Sequence, residues 1–72
     1  MKTIFITKEP ILLGQFLKFA GIIVNGGEAK FFLQETDVFV NGVLENRRGK
    51  QLFNDDCVEI YGEKYIIQLK KR

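Results

Sequence analysis

The sequence predicts a single α+β domain in which two packed helices lie against a small, mostly antiparallel, curved sheet. A chain of 72 residues has room for only one hydrophobic core. Apolar residues recur with a helical period in the first half of the chain and with a period of two after Thr36-Asp37. The order strand, helix, helix and then several strands is typical of an α+β fold.

The first predicted elements are a strand and an amphipathic helix. Residues Thr3 to Ile6 alternate, with Ile4 and Ile6 on one face and Thr3 and Phe5 on the other, which indicates a short strand. Pro10 separates this strand from the helix. The helix begins near Leu12 and ends at Gly21, a common helix stop. Its apolar stripe follows the spacing i, i+3, i+4 and i+7 and consists of Leu13, Phe16, Leu17 and Ala20.

A second helix is predicted from about Gly27 to Glu35. Asn25 precedes it and has a side chain able to cap the first turn. Its core-facing residues are predicted to be Ala29, Phe32 and Leu33, whereas Phe31 falls near the boundary of the apolar face.

The second half of the chain predicts strands and turns. Val38 to Val40 alternates and ends in Asn41-Gly42, which favours a two-residue hairpin because both positions of a type I′ turn need a positive φ. Val43-Leu44 then begins the return strand. The later predicted segments are a basic connection (Glu45 to Lys50), a turn (Asn54 to Asp56), a strand (Cys57 to Ile60), a turn (Tyr61 to Lys64) and a final strand (Tyr65 to Leu69).

The residue types argue against catalysis, metals and cofactors. The chain has no histidine, and its one cysteine, Cys57, cannot form an internal disulfide or a four-ligand zinc site. We expect Cys57 to be a buried packing residue and Asp55-Asp56 to belong to a turn. With neither a signal-peptide core nor an apolar run of membrane-spanning length, the chain is expected in the cytoplasm, away from membranes.

Basic residues are clustered although the net charge is only +2. Arg47, Arg48 and Lys50 lie within four residues, and Lys70-Lys71-Arg72 closes the chain in a segment expected to fray. Cations on a glycine-containing loop can contact phosphates, and a solvated loop that keeps a sheet edge soluble is the open alternative. The Gly26-Gly27 start of the second helix, followed by Lys30, could also approach an anion.

These segments together resemble the S4 RNA-binding domain over about residues 12–60. The matching motifs are Glu28-Ala29-Lys30, Phe32-Leu33, Val38-Phe39-Val40-Asn41-Gly42 and Asp55-Asp56-Cys57-Val58-Glu59-Ile60. Three further segments resemble small stand-alone S4 proteins of the YaaA type, namely Leu13-Gly14-Gln15-Phe16-Leu17-Lys18, Gly26-Gly27-Glu28-Ala29-Lys30 and Asn46-Arg47-Arg48-Gly49-Lys50.

The resemblance implies an S4-type fold and an RNA-binding surface. The side chains that it assigns to one surface are Lys18, Lys30, Arg47, Arg48 and Lys50. Many S4 domains begin their first helix with Arg-Leu-Asp and their second with Ser-Arg or Thr-Arg, where this chain has Leu12-Leu13-Gly14 and Gly26-Gly27. This departure gives more weight to the basic loop, and backbone amides at Gly26 and Gly27 are expected to replace the missing side chains.

The leading hypothesis is a monomer that binds structured RNA without catalysis. The resemblance suggests ribosomal RNA or an assembling ribosomal particle, with tRNA as another candidate and ribosomal proteins as further partners. A second hypothesis is a module that docks on a ribosomal or replication protein through Phe31 or Phe39, although aromatics in so small a domain are usually core. A ubiquitin-like sulfur carrier is not expected, because such a protein would require a carboxyl-terminal Gly-Gly and this sequence ends in Lys70-Lys71-Arg72.

Overall fold

The computed structural model describes residues 1–70 and confirms the α+β class. The two α-helices follow the first strands, and most of the sheet is built by the second half of the chain. In chain order the described elements are β1 (Lys2–Ile6), β2 (Ile11–Leu12), α1 (Leu13–Phe19), a 3₁₀ turn (Gly26–Glu28), α2 (Ala29–Glu35), β3 (Val38–Val40), β4 (Val43–Leu44), β5 (Gln51–Leu52), β6 (Cys57–Ile60) and β7 (Glu63–Leu69).

The main sheet has five strands in the order β1-β7-β6-β3-β4. β1 pairs in parallel with β7, whereas the other neighbours are antiparallel, as the prediction of a mostly antiparallel sheet requires. The inner face of the sheet carries alternate buried residues of β3, β6 and β7, such as Val38, Val58 and Ile67. Both helices cover this face and close one core.

The apolar stripe of α1 anchors the helix to the sheet. Leu13, Phe16 and Leu17 are fully buried, and the Phe16 ring meets the Tyr65 ring edge to face at a centroid distance of 5.5 Å. Such pairs contribute roughly 0.5–1.5 kcal/mol beyond the burial of area. Gly21 ends the helix with a φ of 75°, as its position in the sequence predicts.

α2 begins two residues later than predicted. A 3₁₀ turn precedes it, so the α-helical bonds start at Ala29. Ala29 and Leu33 are buried as predicted and Phe32 is half-buried, but Phe31 is 69% exposed. The helix therefore leaves one large aromatic side chain in solvent.

Two tight hairpins set the register of the sheet. Asn41 and Gly42 have φ values of 52° and 83° and join Val40 to Val43, which matches the predicted type I′ turn. Tyr61 and Gly62 repeat the arrangement between β6 and β7. The prediction that the last strand starts at Tyr65 was therefore wrong by two residues, because a two-residue turn lets pairing resume at Glu63.

A second, two-stranded sheet was not predicted. Ile11 pairs with Leu52 and Leu12 with Gln51, and both Ile11 and Leu52 are buried. This pairing brings the end of the basic connection to the start of α1.

The two ends of the described chain lie side by side. The N–H of Lys70 donates to the carbonyl of Ile6 at 2.7 Å, which extends the pairing of β1 with β7. Fraying was expected for Lys70, Lys71 and Arg72. Of these, Lys71 and Arg72 lie outside the described residues. None of the helices within residues 1–70 has the length and apolar character needed to cross a membrane.

Candidate nucleic-acid interface

The basic loop, residues 45–50, is fastened to the start of α1 by backbone hydrogen bonds. The N–H of Leu13 donates to the carbonyl of Lys50 at 2.8 Å, and the N–H of Gly14 donates to that of Arg48 at 2.9 Å. The first N–H groups of a helix have no partner within the helix, so the loop satisfies two of them. The loop therefore has a defined position against the helix pair.

Gly14 lets the loop and both helices approach one another. A Cβ at this position would lie 3.4 Å from the Ala29 Cβ and 3.5 Å from the Arg48 Cβ and carbonyl oxygen. These are contact distances, so a side chain larger than a methyl group would push the loop or α2 away. From the sequence, Gly14 was part of a segment that resembles small stand-alone S4 proteins and a departure from the common S4 pattern. The contact was not predicted, since nothing local indicates that residues 14, 29 and 48 meet.

These three segments enclose a groove of about 330 Å³, here called the helix groove. Lys18 and Arg48 contribute its cationic side chains, and both are exposed. Gly26 also lines it, so the structure brings three of the predicted site residues together. No acidic side chain of the described residues lines the groove.

The remaining predicted residues lie elsewhere. Arg47 and Lys50 line a second groove of about 460 Å³ together with Phe53, so the cations of the loop are divided between two neighbouring depressions. Lys30 is exposed on α2 and lines neither groove. The predicted cations therefore do not converge on one point, and their shared role in binding RNA stays a prediction.

Arg47 is paired with the carboxylate of Glu45, which the sequence placed at the start of the basic connection. Its Nε donates to Glu45 Oε2 at 2.8 Å and its Nη2 to Oε1 at 3.2 Å, while its backbone N–H also donates to Oε2. The Glu45 side chain is only 10% exposed. The hydrogen bond from Arg47 holds the pKa of Glu45 below its usual value, against the opposing effect of burial.

The glycine-rich start of the second helical segment is already capped from within. Asn25 Oδ1 accepts from the N–H of Gly27 at 3.1 Å, and a Glu28 carboxylate oxygen accepts from the N–H groups of Val24 and Asn25. These backbone bonds lower the pKa of Glu28. The amide of Gly27 is therefore occupied, and a carboxylate stands beside it, so the expectation of an anion held by this amide was wrong.

The acidic pair Asp55-Asp56 serves a turn, as predicted. Asp56 accepts from the N–H of Phe53 at 2.7 Å and from Asn41 Nδ2 at 3.0 Å, and Asp55 has a φ of 74°. Among residues 1–70, no three His, Cys, Asp or Glu side chains come together as a metal site. Cys57 is half-buried rather than fully buried, because it lies on the outer face of the sheet, which no described helix covers.

Comparison with known proteins agrees with this architecture. The S4 domain family matches residues 4–68. The chain belongs to the S4 domain family. The S4 match extends beyond residues 12–60 and takes in three of the five residues of β1 and six of the seven residues of β7. This S4 domain is also 54% identical over 59 residues to the "Probable ribosome maturation protein RlbA" of Bacillus subtilis (strain 168). The aligned segment covers 82% of this chain and 83% of that protein.

Proposed function

We propose that this S4 domain binds structured RNA, in ribosomal RNA or an assembling ribosomal subunit, and performs no catalysis of its own. One observation carries the proposal: a backbone bond holds Arg48 at the helix groove, which Lys18 also lines and which no described acidic side chain lines. Membership of the S4 family and the name of the ribosome maturation relative support the choice of RNA. tRNA is a second candidate RNA.

The cations are expected to contribute unequally to RNA binding. Phosphate contacts by Lys and Arg release counterions and make the affinity depend on salt. Arg48 and Lys18 border the same groove, whereas the guanidinium of Arg47 already donates to Glu45. Arg48 is therefore assigned a main phosphate contact, Lys30 and Lys50 flanking contacts, and Arg47 a smaller share.

The test compares salt dependence between single variants. Binding of purified ribosomal subunits and of their extracted RNA is measured against salt concentration for the wild type and for Arg48→Ala. Loss of one phosphate contact lowers the slope of log affinity against log salt by roughly 0.7–0.9. Lys64→Ala is the charge-matched control, because Lys64 is exposed on β7 and lines neither groove.

Arg47→Ala provides an internal comparison. The slope of log affinity against log salt is expected to differ less from the wild type in Arg47→Ala than in Arg48→Ala, because Glu45 already compensates the charge of Arg47. Slopes that are the same for the wild type, Arg48→Ala and Lys64→Ala would refute the proposed site. Binding without salt dependence would refute phosphate recognition altogether.

The proposal includes a cytoplasmic monomer that uses no cofactor. Ribosome assembly takes place in the cytoplasm of bacteria such as the source of the relative, and ribosomal proteins are the neighbours that such a protein would meet. The residues offer little for catalysis, since the chain lacks histidine and the carboxylate of Asp56 accepts hydrogen bonds within its turn. Residues 1–72 are proposed to act as one domain.

A second candidate function is docking on a ribosomal or replication protein. The outer face of the sheet favours it: Phe5 is 63% and Leu44 57% exposed, and Phe39 and Ile66 on the same face are half-buried. Co-sedimentation with ribosomal particles before and after nuclease treatment separates the two functions. Protein docking would be supported if wild-type binding survives nuclease treatment and if Phe39→Ser abolishes binding whereas Arg48→Ala does not.

A further inference from the structure

The floor of the helix groove is apolar, which phosphate binding alone does not require. Leu12, Gly14, Gly26 and Ala29 line it, and Leu12 is an exposed apolar side chain next to cations. Small-ligand pockets typically measure about 300–1,000 Å³ and combine apolar walls with a few polar groups. At about 330 Å³ the groove lies at the lower end of this range and is suited to one small flat group.

Gln15 supplies an oriented polar group in this apolar setting. Its Oε1 accepts from the N–H of Leu12 at 2.8 Å, which fixes the side chain at the start of α1 and leaves Nε2 as a donor. The backbone N–H can only bond to the amide oxygen, so the hydrogen bond itself orients the amide. A fixed donor at the wall of a groove can read an acceptor on a ligand.

Arg48 and Lys18 add charge complementary to a nucleotide. A guanidinium is planar and stacks on aromatic rings, including the faces of unpaired bases. An ammonium on a flexible side chain such as that of Lys18 suits the attached phosphate. The groove thus combines an apolar floor, a planar cation, a second cation and one fixed donor.

We infer that the helix groove accepts a single unpaired nucleobase of the bound RNA, followed by a phosphate at Lys18. The base stacks on the planar face of the Arg48 guanidinium, whose N–H groups at the edge keep the phosphate contact assigned to Arg48 above. This inference rests on the proposed function and adds to it the feature of the RNA that the site recognises. A bulged or loop nucleotide would enter the groove, while paired flanking RNA contacts the surrounding cations. Unpaired nucleotides are the usual points of specific recognition in RNA because their faces and edges are accessible.

The glycines of the groove provide a steric test that leaves every cation in place. A methyl group at Gly14 would make ordinary contacts with Ala29 and Arg48, and alanine favours the helix, so Gly14→Ala is expected to fold normally. The methyl group would occupy space that the base needs. Gly26→Ala, whose Cβ would lie 3.9 Å from Lys18 Cδ, adds a methyl group at a second residue that lines the same groove.

The probe is an RNA hairpin with one bulged nucleotide in its stem, prepared with each of the four bases, with an abasic site and without a bulge. Wild-type protein is expected to bind at least one base-containing bulge about tenfold more tightly than the abasic bulge, the order of one stacked base. Gly14→Ala and Gly26→Ala are expected to lose this advantage, with the abasic affinity and the salt slope retained.

The outcomes separate the inference from the function on which it rests. Salt-dependent binding that is equal for base-containing, abasic and fully paired hairpins would overturn the nucleobase site and leave phosphate binding standing. A base preference that survives in both folded glycine variants would also overturn it. Binding to none of the hairpins, or binding without a salt slope, would refute the proposed function as well. Thermal unfolding of each variant confirms that it is folded.

Discussion

The ion pair of Arg47 with Glu45 shows that a cation in a basic loop can stabilise the fold instead of being free to bind a ligand. Glu45 is almost buried, and its two oxygens take three hydrogen bonds from Arg47. A nearly buried carboxylate without a partner is costly. Arg47 therefore helps to hold the start of the loop, whereas the guanidinium of Arg48 makes no ion pair within residues 1–70.

This pair predicts a dependence of stability on pH. The folded protein lowers the pKa of Glu45, so the ionised pair stabilises the fold above the unfolded-state pKa of about 4.3–4.5. That contribution is lost as the pH falls through the lower pKa of the folded state. The free energy of unfolding of Arg47→Ala is expected to lie below that of the wild type at pH 7, and the gap is expected to narrow below pH 4.

Urea unfolding of both proteins from pH 7 to pH 3 measures this gap. The difference between the two proteins cancels the titration of the other carboxylates, and Arg48→Ala serves as the control because its guanidinium makes no ion pair within residues 1–70. A gap between Arg47→Ala and the wild type that stays constant with pH would show that Glu45 is not the group involved.

A second prediction at the residue scale concerns the hairpin glycine. Gly42 has a φ of 83°, where a side chain is strained, so Gly42→Ala is expected to lower the free energy of unfolding by about 1–2 kcal/mol. Gly49→Ala is the matched control, since Gly49 has no positive φ and a Cβ there would meet nothing within 4 Å. Equal effects of the two substitutions in chemical denaturation would contradict a strained Gly42.

At the scale of the elements, local signals were predictable and distant pairings were not. Asn41-Gly42 and Gly21 act through their own backbone angles, so the sequence was sufficient to identify the hairpin and the end of α1. The pairing of β2 with β5 involves two residues on each strand, too few to show a period. β1 pairs with β7 at the far end of the chain, and no local pattern predicts this parallel pairing.

The same distinction explains what was found of the candidate site. Clustered charge and family resemblance placed Lys18 and Arg48 on one surface, and the structure brings both to the helix groove. The contribution of Gly14 depends on the approach of the loop to α1, and that of Glu45 depends on burial. Each is a property of tertiary packing that no local pattern contains.

The cap of the second helical segment yields a prediction at this scale. Asn25 Oδ1 accepts from the N–H of Gly27, and replacing such a cap by alanine typically costs about 1 kcal/mol. Asn25→Ala is expected to lower the stability by this amount. Val24→Ala is the control, because Val24 is 88% exposed and exposed substitutions usually change stability by less than about 0.5 kcal/mol. Indistinguishable thermal unfolding of the two variants would exclude a stabilising cap.

At the scale of the whole molecule, the five-stranded sheet separates two surfaces of different character. Its inner face packs on the helices and forms the core, and its outer face remains open to solvent with apolar side chains on it. The helix groove lies away from that outer face, where α1, the 3₁₀ turn and the basic loop meet. The two proposed functions therefore involve different surfaces of the domain.

The extent of the folded domain can be tested by truncating the chain to residues 12–60, the range over which the sequence resembles an S4 domain. Residues 12–60 include both helices and the candidate site but lack β1 and β7, which supply Ile6, Tyr65 and Ile67 to the core. Burying three such side chains contributes about 5–9 kcal/mol, comparable to the whole stability of a small domain. The fragment is expected to be unfolded, whereas residues 1–70 should unfold cooperatively. Circular dichroism during heating distinguishes them, and a cooperative transition in the fragment would show that β1 and β7 are dispensable.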